Sequence, residues 1–421
     1  MDCDICIVGA GSGGIGAAVA AARAGASVIL VEKNHVPGGT VTLAWVHTWE
    51  PTCGTSPLCR RLWDRMQGLP GGATDIDYDC ASKRLGPDGK RNPPLPFEPW
   101  AYVAAVAAEL QEAGVRHVLY GTCFVGVRTD GRCLRAVRVL GPAGPMEITA
   151  KFFIDATADI HVARAAQCRY SKGAEAKAWY QEPHAPETAA PAALNAMNWC
   201  YRVREAADAP ASEWDRGPFP AEAIRPSRFE VRLPNGDILV NPCGMVHADP
   251  DDVAEFARAT ARARHLALEV HRWTVIAGGK PNRILIGLAP ELGVRETYRL
   301  IGRYVLTEQD ILAGTVGQKH PDMVATSDHP LDLHGKNGVH IELDRGYGIP
   351  FRCLMPVEYD NLLVACRGAS FSHVAASSCR LSRTMTVLGE AAGAVAAAAV
   401  RDGKRLDDLD LLRAVRLVRP G

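Results

Sequence analysis

The sequence lacks an excess of charge of either sign, and it lacks a long uninterrupted apolar run. Among its 421 residues, Lys and Arg together number 47, and Asp and Glu together also number 47. This balance provides no basic field for nucleic acid or for an anionic membrane surface. The most apolar stretch, Thr384–Val400, contains Glu390 and two glycines, which is not typical of a membrane-spanning helix. We therefore expect neither a nucleic-acid partner nor a membrane segment.

The sequence also lacks the features of a secreted, disulfide-bonded protein. An acidic residue stands second and the chain passes directly into a strand pattern, so we expect no secretory signal and a cytoplasmic location. The 13 cysteines are odd in number and scattered, which favours reduced thiols. Cys3 and Cys6 form a CxxC pair, but residues three apart on a strand point to opposite faces, so we predict no metal site there.

The first feature that is present is a strand–helix–strand unit at the N-terminus. Residues 3–8 form a short apolar run, Ser12–Ala24 has the pattern of a small-residue helix, and Ser27–Val31 forms a second apolar run. Two strands joined by a helix imply a right-handed crossover and parallel pairing. The unit predicts an α/β fold with a Rossmann-like domain and a central parallel sheet.

A glycine motif, Gly9-Ala-Gly11-Ser-Gly13-Gly14, joins the first strand to the helix. In such a GxGxxG turn the first glycine makes the tight bend, the second lets a diphosphate approach the backbone, and the last lets the helix pack on the strand. The diphosphate would lie on the positive end of the helix. Glu32 ends the second strand, where its carboxylate can accept hydrogen bonds from ribose hydroxyls. The motif predicts a dinucleotide site but does not separate FAD from NAD.

Three further segments favour FAD. Gly38-Gly39-Thr40 follows Glu32 and would let the chain pass beneath the flavin. Residues 151–159 form a strand ending in Ala156-Thr157-Ala158-Asp159, and the segment 360–370 begins with another strand, Asn361–Ala365, which a long helix follows. A long Ala/Gly-rich helix, predicted over Ser377–Val400, could direct its N-terminal dipole at the flavin N1–C2=O edge, where negative charge develops on reduction.

With these segments, the chain resembles the two-dinucleotide-binding-domain flavoproteins, the glutathione-reductase-like superfamily. Within it, the chain is similar to FAD-dependent oxidoreductases related to the flavoprotein subunits of fumarate reductase and succinate dehydrogenase. The matching segments are 7–39, 152–159, 292–312, 347–356 and 361–399. The resemblance implies an FAD-binding domain with an inserted α+β substrate domain. A C-x4-C pair after the glycine pair and a second GxGxxG between residues 120 and 345 are both missing, so we expect neither a dithiol relay nor a separate NAD(P)H domain.

The resemblance also implies site residues. The chain has no covalent histidyl motif at the matching place, so we predict non-covalent FAD. The residues predicted to bind it are Gly9, Gly11, Gly13, Gly14, Glu32, Lys33, Gly38, Gly39, Thr40, Ala156, Thr157, Asp159, Arg367, Gly368, Ala376 and Ser378.

The length allows two or three domains, and we predict their boundaries from changes in pattern. Residues 1–168 would form the N-terminal part of the FAD-binding domain, with a loop insertion at about 50–99. Residues 169–345, which contain strand pairs and a long helix, would form the substrate domain. Residues 346–421 would return to the FAD-binding domain.

Four residues are candidates for catalysis. His373 could be an acid–base group or hold a substrate oxyanion, and the alternative is a helix-capping or phosphate-side role. Arg352 and Arg380 could each clamp a carboxylate or stabilise an anionic reduced flavin, and the alternative is a structural ion pair. Arg295 could reach the site or form a surface salt bridge.

These observations predict an FAD-dependent oxidoreductase that transfers a hydride between a small organic substrate and flavin N5. The electron acceptor could be oxygen, a quinone or another protein. A second hypothesis is an NAD-dependent Rossmann dehydrogenase, in which the glycine pair and the C-terminal strand and helix would have no role. A third is an RNA-modifying flavoprotein, against which the balanced charge counts.

Overall fold

The computed structural model describes residues 1–209, 214–224, 228–334 and 338–406. The last fifteen residues of the predicted third segment therefore lie outside the described residues. The α-helices are α1 Ser12–Arg23, α2 Pro57–Gln67, α3 Pro99–Ala113, α4 His161–Ala165, α5 Lys177–Tyr180, α6 Val253–Ile276, α7 Glu308–Gly317, α8 His373–Cys379 and α9 Ser382–Asp402.

The strands are mostly short, and many of them belong to small sheets. They are β1 Asp2–Val8, β2 Val28–Val31, β3 Thr48–Trp49, β4 Leu95–Pro96, β5 His117–Leu119, β6 Cys123–Asp130, β7 Cys133–Gly141, β8 Gly144–Asp155, β9 Tyr170–Lys172, β10 Tyr201–Glu205, β11 Phe229–Arg232, β12 Ile238–Asn241, β13 Arg283–Leu288, β14 Tyr298–Leu300, β15 Met323–Ser327, β16 Leu331–Leu333, β17 Val339–Ile341, β18 Tyr347–Pro350 and β19 Leu362–Val364.

The largest sheet has the order β5-β2-β1-β8-β7-β6, and β19 pairs with the end of β8. The strands β5, β2, β1, β8 and β19 pair in parallel, whereas β7 and β6 extend the sheet as antiparallel neighbours. β1 and β2 read as nearly continuous apolar runs because helices cover the sheet. The prediction of an α/β fold with a central parallel sheet is confirmed.

A second sheet, of order β11-β12-β10-β13, is antiparallel throughout. Helix α6 packs beside it, and together they enclose a separate apolar cluster that includes Tyr201, Val240 and Leu266. This region carries the strand pairs and the long helix predicted for residues 169–345. The assignment of that segment to a substrate domain stays a prediction.

Helices α1 and α9 lie against each other with their backbones in close contact. A Cβ atom on Gly389 would lie 1.9 Å from the carbonyl oxygen of Gly13, and one on Gly393 would lie 2.2 Å from that of Ala17. Side chains at these positions would force the helices apart. The glycines therefore fix α9 against the first helix and direct its N-terminus at the glycine-rich turn.

The predicted single helix over Ser377–Val400 is wrong in one respect. The structure divides the segment into α8 and α9, and Leu381 adopts extended backbone (φ −62°, ψ 146°) between them. The break directs the intervening Arg380 out of the helix axis and into the site described below. Within the described residues, no helix is both long and apolar enough to cross a membrane.

Glu390 of α9 gives a prediction about stability. Burial raises the pKa of this carboxyl to about 7, and its Oε2 has no hydrogen-bond partner. The raised pKa favours the neutral carboxyl in the folded protein. The contribution of Glu390 to stability is therefore complete below the pKa that the carboxyl has in the unfolded chain, 4.5, and is lost as the pH rises through 7. We expect Glu390→Gln to raise the free energy of unfolding by roughly 2–3 kcal/mol near pH 8.

Thermal unfolding at two pH values checks this expectation. Near pH 4, below the unfolded pKa of 4.5, the variant should unfold at nearly the same temperature as the unmodified protein, because the carboxyl is then largely protonated in both the folded and the unfolded state. The control is Glu187→Gln, since the Glu187 side chain is 83% exposed. An equal stabilisation at both pH values would contradict a titrating buried carboxyl.

Candidate functional site

A cavity of about 730 Å³ opens at the carboxyl ends of the parallel strands. Val8, Val31 and Ala156, which lie at the ends of β1, β2 and β8, all line it. This edge of an open parallel sheet is where such folds bind their ligands. The cavity extends from the glycine-rich turn to a region rich in arginine and histidine.

Three glycines of the turn are required by the protein's own packing. Gly9 has φ +102°, and a Cβ there would lie 2.3 Å from the carbonyl oxygen of Ala156. A Cβ on Gly13 would lie 1.8 Å from the carbonyl oxygen of Ala365, and one on Gly14 would lie 1.8 Å from that of Gly9. These glycines allow α1 to pack directly on the neighbouring strands.

Gly11 differs from the other glycines of the turn. No atom lies within 4 Å of where its Cβ would be, its φ of −72° suits any residue, and it lines the cavity. It also caps α1 without a side-chain hydrogen bond, so the first N–H groups of the helix remain available to an anion. Folding alone does not explain glycine here, whereas a diphosphate lying on the backbone does.

Glu32 lies at the end of β2, where it is 5% exposed and lines the cavity. Its Oε2 accepts from the backbone N–H of Ala10 at 2.7 Å. Its Oε1 accepts from the backbone and side-chain nitrogens of Asn34 at 2.9 and 3.0 Å. A carboxylate offers about four acceptor positions, so one position on Oε2 remains for a ribose hydroxyl.

Asp159 closes the same end of the cavity. Its Oδ1 accepts from Arg367 Nη2 at 2.6 Å and from Thr297 Oγ1 at 2.5 Å. Burial disfavours its charge, but the charge of Arg367 and the Thr297 hydrogen bond outweigh burial and hold the pKa of this carboxyl below its usual value. Arg367 is thus held in place at the cavity wall by an ionised partner.

Twelve of the sixteen predicted FAD-binding residues line this cavity. They are Gly9, Gly11, Gly13, Glu32, Lys33, Gly38, Gly39, Thr40, Ala156, Thr157, Asp159 and Arg367. The other four do not: Gly14 packs on Gly9, Gly368 packs on the carbonyls of Ala158 and Tyr298, and Ala376 lies inside α8. The prediction that these four contact the cofactor is therefore not supported by their positions.

Ser378 is the fourth of these residues, and it has a different partner. Its hydroxyl donates to the backbone carbonyl of His329 and is 2.7 Å from the Tyr347 hydroxyl. Both side chains are buried, and burial raises the pKa of Tyr347 well above its usual value. Ser378 and Tyr347 hold the chain around His329, which does line the cavity.

Two of the four predicted catalytic residues lie away from the cavity. His373 is the first residue of α8, and its Nδ1 lies 2.9 Å from Glu296 Oε2 within a buried cluster of charges. Arg352 forms two hydrogen bonds of 3.0 Å with Asp322. Neither side chain lines the cavity, so the positions of His373 and Arg352 do not support their predicted site roles, which stay predictions.

The other two predicted catalytic residues, Arg295 and Arg380, line the cavity together. Nη2 of Arg380 lies 3.0 Å from Asp332 Oδ2, and the same carboxylate contacts His334 Nε2 at 2.9 Å. Nη1 of Arg295 donates to the backbone carbonyl of Ala196. We call Arg295, Arg380, Asp332 and His334 the arginine corner.

A further pair, His329 and Glu50, also lines the cavity, and sequence reasoning missed it. His329 Nε2 lies 3.6 Å from Glu50 Oε2, and its Nδ1 is buried without a hydrogen-bond partner. Glu50 also contacts Arg84 at 3.2 Å and Arg91 at 2.8 Å. No motif marks either residue, and 279 positions separate them in the sequence, so only the fold reveals the pair.

Electrostatics keeps the carboxylate of this pair charged. Burial disfavours the charge on Glu50, but the close contact with His329 and the positive charges of Arg91 and Arg84 outweigh burial and lower the pKa of Glu50 to about 2. Glu50 therefore gives the His329 ring a fixed negative partner across the working pH range. An imidazole oriented by a carboxylate can take or give a proton at its cavity.

One curated protein is similar to part of this chain. A probable electron transfer flavoprotein-quinone oxidoreductase, YgcN of Escherichia coli (strain K12), is 32% identical over 151 residues, which are 33% of this chain and 32% of that protein. The chain thus matches about a third of the length of this curated relative.

Two solved structures are similar over most of the chain but at low identity. A geranylgeranyl bacteriochlorophyll reductase-like protein from Thermoplasma acidophilum has 12% identity and a TM-score of 0.49, covering 99% of this chain and 82% of that one. The p-nitrophenol 4-monooxygenase PnpA from Pseudomonas putida DLL-E4 has 12% identity and a TM-score of 0.47, covering 96% and 81%.

The match to a protein family is more extensive. The family described as FAD dependent oxidoreductase matches residues 4–418, which is nearly the whole chain. The open position at Gly11, the uncapped start of α1 and the acceptor left on Glu32 are all suited to the diphosphate and ribose of FAD. This chain belongs to the family of FAD-dependent oxidoreductases.

Proposed function

We propose that this protein transfers a hydride between a small organic substrate and N5 of non-covalently bound FAD, within the cavity at the carboxyl edge of the main sheet. The observation that carries the proposal is that one cavity joins the glycine-rich turn at Gly11 to the arginine corner and His329. The residues suited to bind the cofactor therefore share one cavity with the residues suited to bind a substrate and remove its proton.

FAD, when bound, supplies a two-electron acceptor or donor at N5. The residues suited to hold its diphosphate and ribose are the turn at Gly11 and the carboxylate of Glu32. At the other end, Ser382 and Arg383 in the first turn of α9 line the cavity. The N–H groups of this turn have no intrahelical partner, so they can stabilise negative charge on a reduced flavin.

The protein's own residues would bind the substrate and move its proton. Arg295 and Arg380 would orient the substrate through charge-assisted hydrogen bonds. When a C–H bond beside an O–H or N–H group is oxidised, the hydride leaves from carbon and the heteroatom loses a proton. We assign His329 as the group that accepts this proton, with Glu50 as a positioning residue that orients the ring.

The family match favours FAD over the nicotinamide alternative. We retain the resemblance to the fumarate reductase and succinate dehydrogenase flavoproteins as part of the proposal. The acceptor that reoxidises the flavin would be oxygen, a quinone or another protein. Mixing the reduced protein with each in turn, while following the return of flavin absorbance, distinguishes these acceptors.

Anaerobic reduction of the flavin tests the proposal. We expect a small 2-hydroxy or 2-amino acid to bleach the visible flavin absorbance, and acid denaturation to release free FAD. Deuterium on the reacting carbon should slow the bleaching severalfold, because the C–H bond breaks in that step. Hydride transfer would be contradicted if no small 2-hydroxy or 2-amino acid bleached the flavin. It would also be contradicted if deuterium on the reacting carbon did not slow the bleaching.

A further inference from the structure

The charges of the arginine corner are not balanced. Arg380 is paired with Asp332 at 3.0 Å, and Asp332 also contacts His334 and, at 3.3 Å, His340. The recorded hydrogen bond of Arg295 goes to the Ala196 carbonyl. In the part of the chain that the structure describes, no carboxylate lies within ion-pair distance of Arg295. Two guanidinium groups thus share one carboxylate.

The pKa shifts of these groups agree with two guanidinium groups sharing one carboxylate. Burial, followed by the positive charge of Arg380, lowers the pKa of the Arg295 guanidinium, which is the expected result of two cations held close together. Burial opposes the charge of Asp332, but the His334 hydrogen bond and the Arg380 charge hold its pKa far below its usual value. Burial lowers the pKa of His334, which favours the neutral ring. The corner therefore carries one uncompensated positive charge.

The other arginines at this end of the cavity are already engaged. Arg84 contacts Glu342 at 2.6 Å and Glu50 at 3.2 Å, and Arg91 contacts Glu50 at 2.8 Å. Arg383 also has no carboxylate partner within the described residues, but it is 1% exposed, its Nη2 donates to two backbone carbonyls, and its Nε and Nη1 are buried without a hydrogen-bond partner. Arg383 is therefore too enclosed to contact a substrate. Arg228 and Arg367 also line the cavity, and they contact Glu230 at 3.2 Å and Asp159 at 2.6 Å. Among the cavity arginines that the structure describes, Arg295 is therefore the accessible one without a carboxylate partner.

The cavity wall near Arg295 includes three uncharged polar side chains. Asn198, Asn241 and Cys243 line it, and Asn198 Nδ2 donates to Asn241 Oδ1 at 2.6 Å. A planar guanidinium binds one carboxylate through two parallel hydrogen bonds. The amides of Asn198 and Asn241 can form hydrogen bonds with uncharged polar groups of a ligand, but they supply no second positive charge. The corner thus matches one negative group and not two.

We propose that the substrate is a monoanion, a small acid whose single carboxylate binds Arg295 while Asp332 keeps Arg380 neutralised. This proposal rests on the proposed function, which makes the bound acid a substrate. Its test measures equilibrium binding and does not require turnover. Asp332 acts as the specificity residue, because it removes the second positive charge that a dicarboxylate would need.

Equilibrium binding of simple carboxylates to the FAD-loaded protein tests the proposal. We expect propionate to bind, followed by calorimetry and by the change in flavin absorbance, and succinate to bind no more tightly. Arg295→Gln should weaken propionate binding by about tenfold or more, since a charge-assisted pair is lost. Arg295→Lys should retain part of the affinity, because it keeps the charge. The control is Arg128→Gln, an exposed arginine paired with Glu147.

Asp332→Asn provides a test by gain of binding, which misfolding cannot imitate. It should free Arg380 and raise the affinity for succinate by about tenfold relative to propionate. Unchanged propionate binding in Arg295→Gln, or succinate binding tenfold tighter than propionate in the unmodified protein, would overturn the proposal. A change in flavin reduction potential without a change in propionate affinity would also overturn it, by assigning Arg295 to the cofactor. If propionate binds as expected but no acid reduces the flavin, hydride transfer fails and the monoanion site stands.

Discussion

Replacing Gly11 with valine is expected to give a folded protein that no longer retains FAD. The added Cβ meets no protein atom, because nothing beyond the adjacent residues lies within 4 Å of its position, and the backbone φ of −72° suits valine. It would instead occupy the space where a diphosphate approaches the start of α1. Loss of even one or two charge-assisted hydrogen bonds to the diphosphate should weaken FAD binding by about tenfold to a hundredfold.

Gly13→Ala is the matched comparison for this variant. Its added methyl group would lie 1.8 Å from the carbonyl oxygen of Ala365, so it should destabilise the protein whether or not FAD is present. The ratio of flavin to protein after purification and the unfolding temperature of the flavin-free protein separate the two effects. Full FAD content in Gly11→Val, or unfolding as severe as that of Gly13→Ala, would contradict the role assigned to this position.

His329→Gln is expected to lower the rate of flavin reduction by substrate by about a hundredfold or more, the usual contribution of a positioned acid–base group. The amide keeps much of the volume of the ring but cannot take the proton. FAD content and the flavin absorption spectrum should not change. A smaller variant, His329→Ala, should recover part of its rate when free imidazole is added, which a purely structural histidine would not allow.

His373→Gln provides the contrast to His329→Gln. The His373 ring contacts Glu296 in a buried cluster and does not line the cavity. We expect its replacement to lower the unfolding temperature while leaving the reduction rate of the FAD-loaded protein within about threefold, because the lost hydrogen bond is structural. The opposite pattern, a large loss of rate for His373→Gln and none for His329→Gln, would restore the assignment first made from the sequence.

The cofactor end of the site could be predicted from the sequence because its determinants are local. The glycine motif, the short helix and Glu32 lie within 24 consecutive residues, and their spacing reflects the geometry of one strand–helix–strand unit. The strand order of the main sheet follows from the same unit. Ser378 and Gly368 do not line the cavity, because the position of a residue within a motif does not determine whether it faces the cavity or the protein interior.

The substrate end could not be predicted in the same way, because distant segments assemble it. Glu50, Arg295, His329 and Asp332 come from four separate loops and strands, and each is an ordinary residue in its local sequence. Arg380 reaches the cavity because the chain breaks between α8 and α9, and Leu381 gives no sequence signal for that break. Tertiary packing therefore determines which histidine and which arginines share the cavity.

A crystal structure of the FAD-loaded protein is the most direct test of the central claim that this cavity holds the flavin. We expect the diphosphate density to lie on the backbone at Gly11 and Ser12, with a ribose hydroxyl at Glu32 Oε2 and the ring system near the first turn of α9. A flavin bound elsewhere, or a glycine-rich turn closed by neighbouring side chains in the loaded protein, would contradict it.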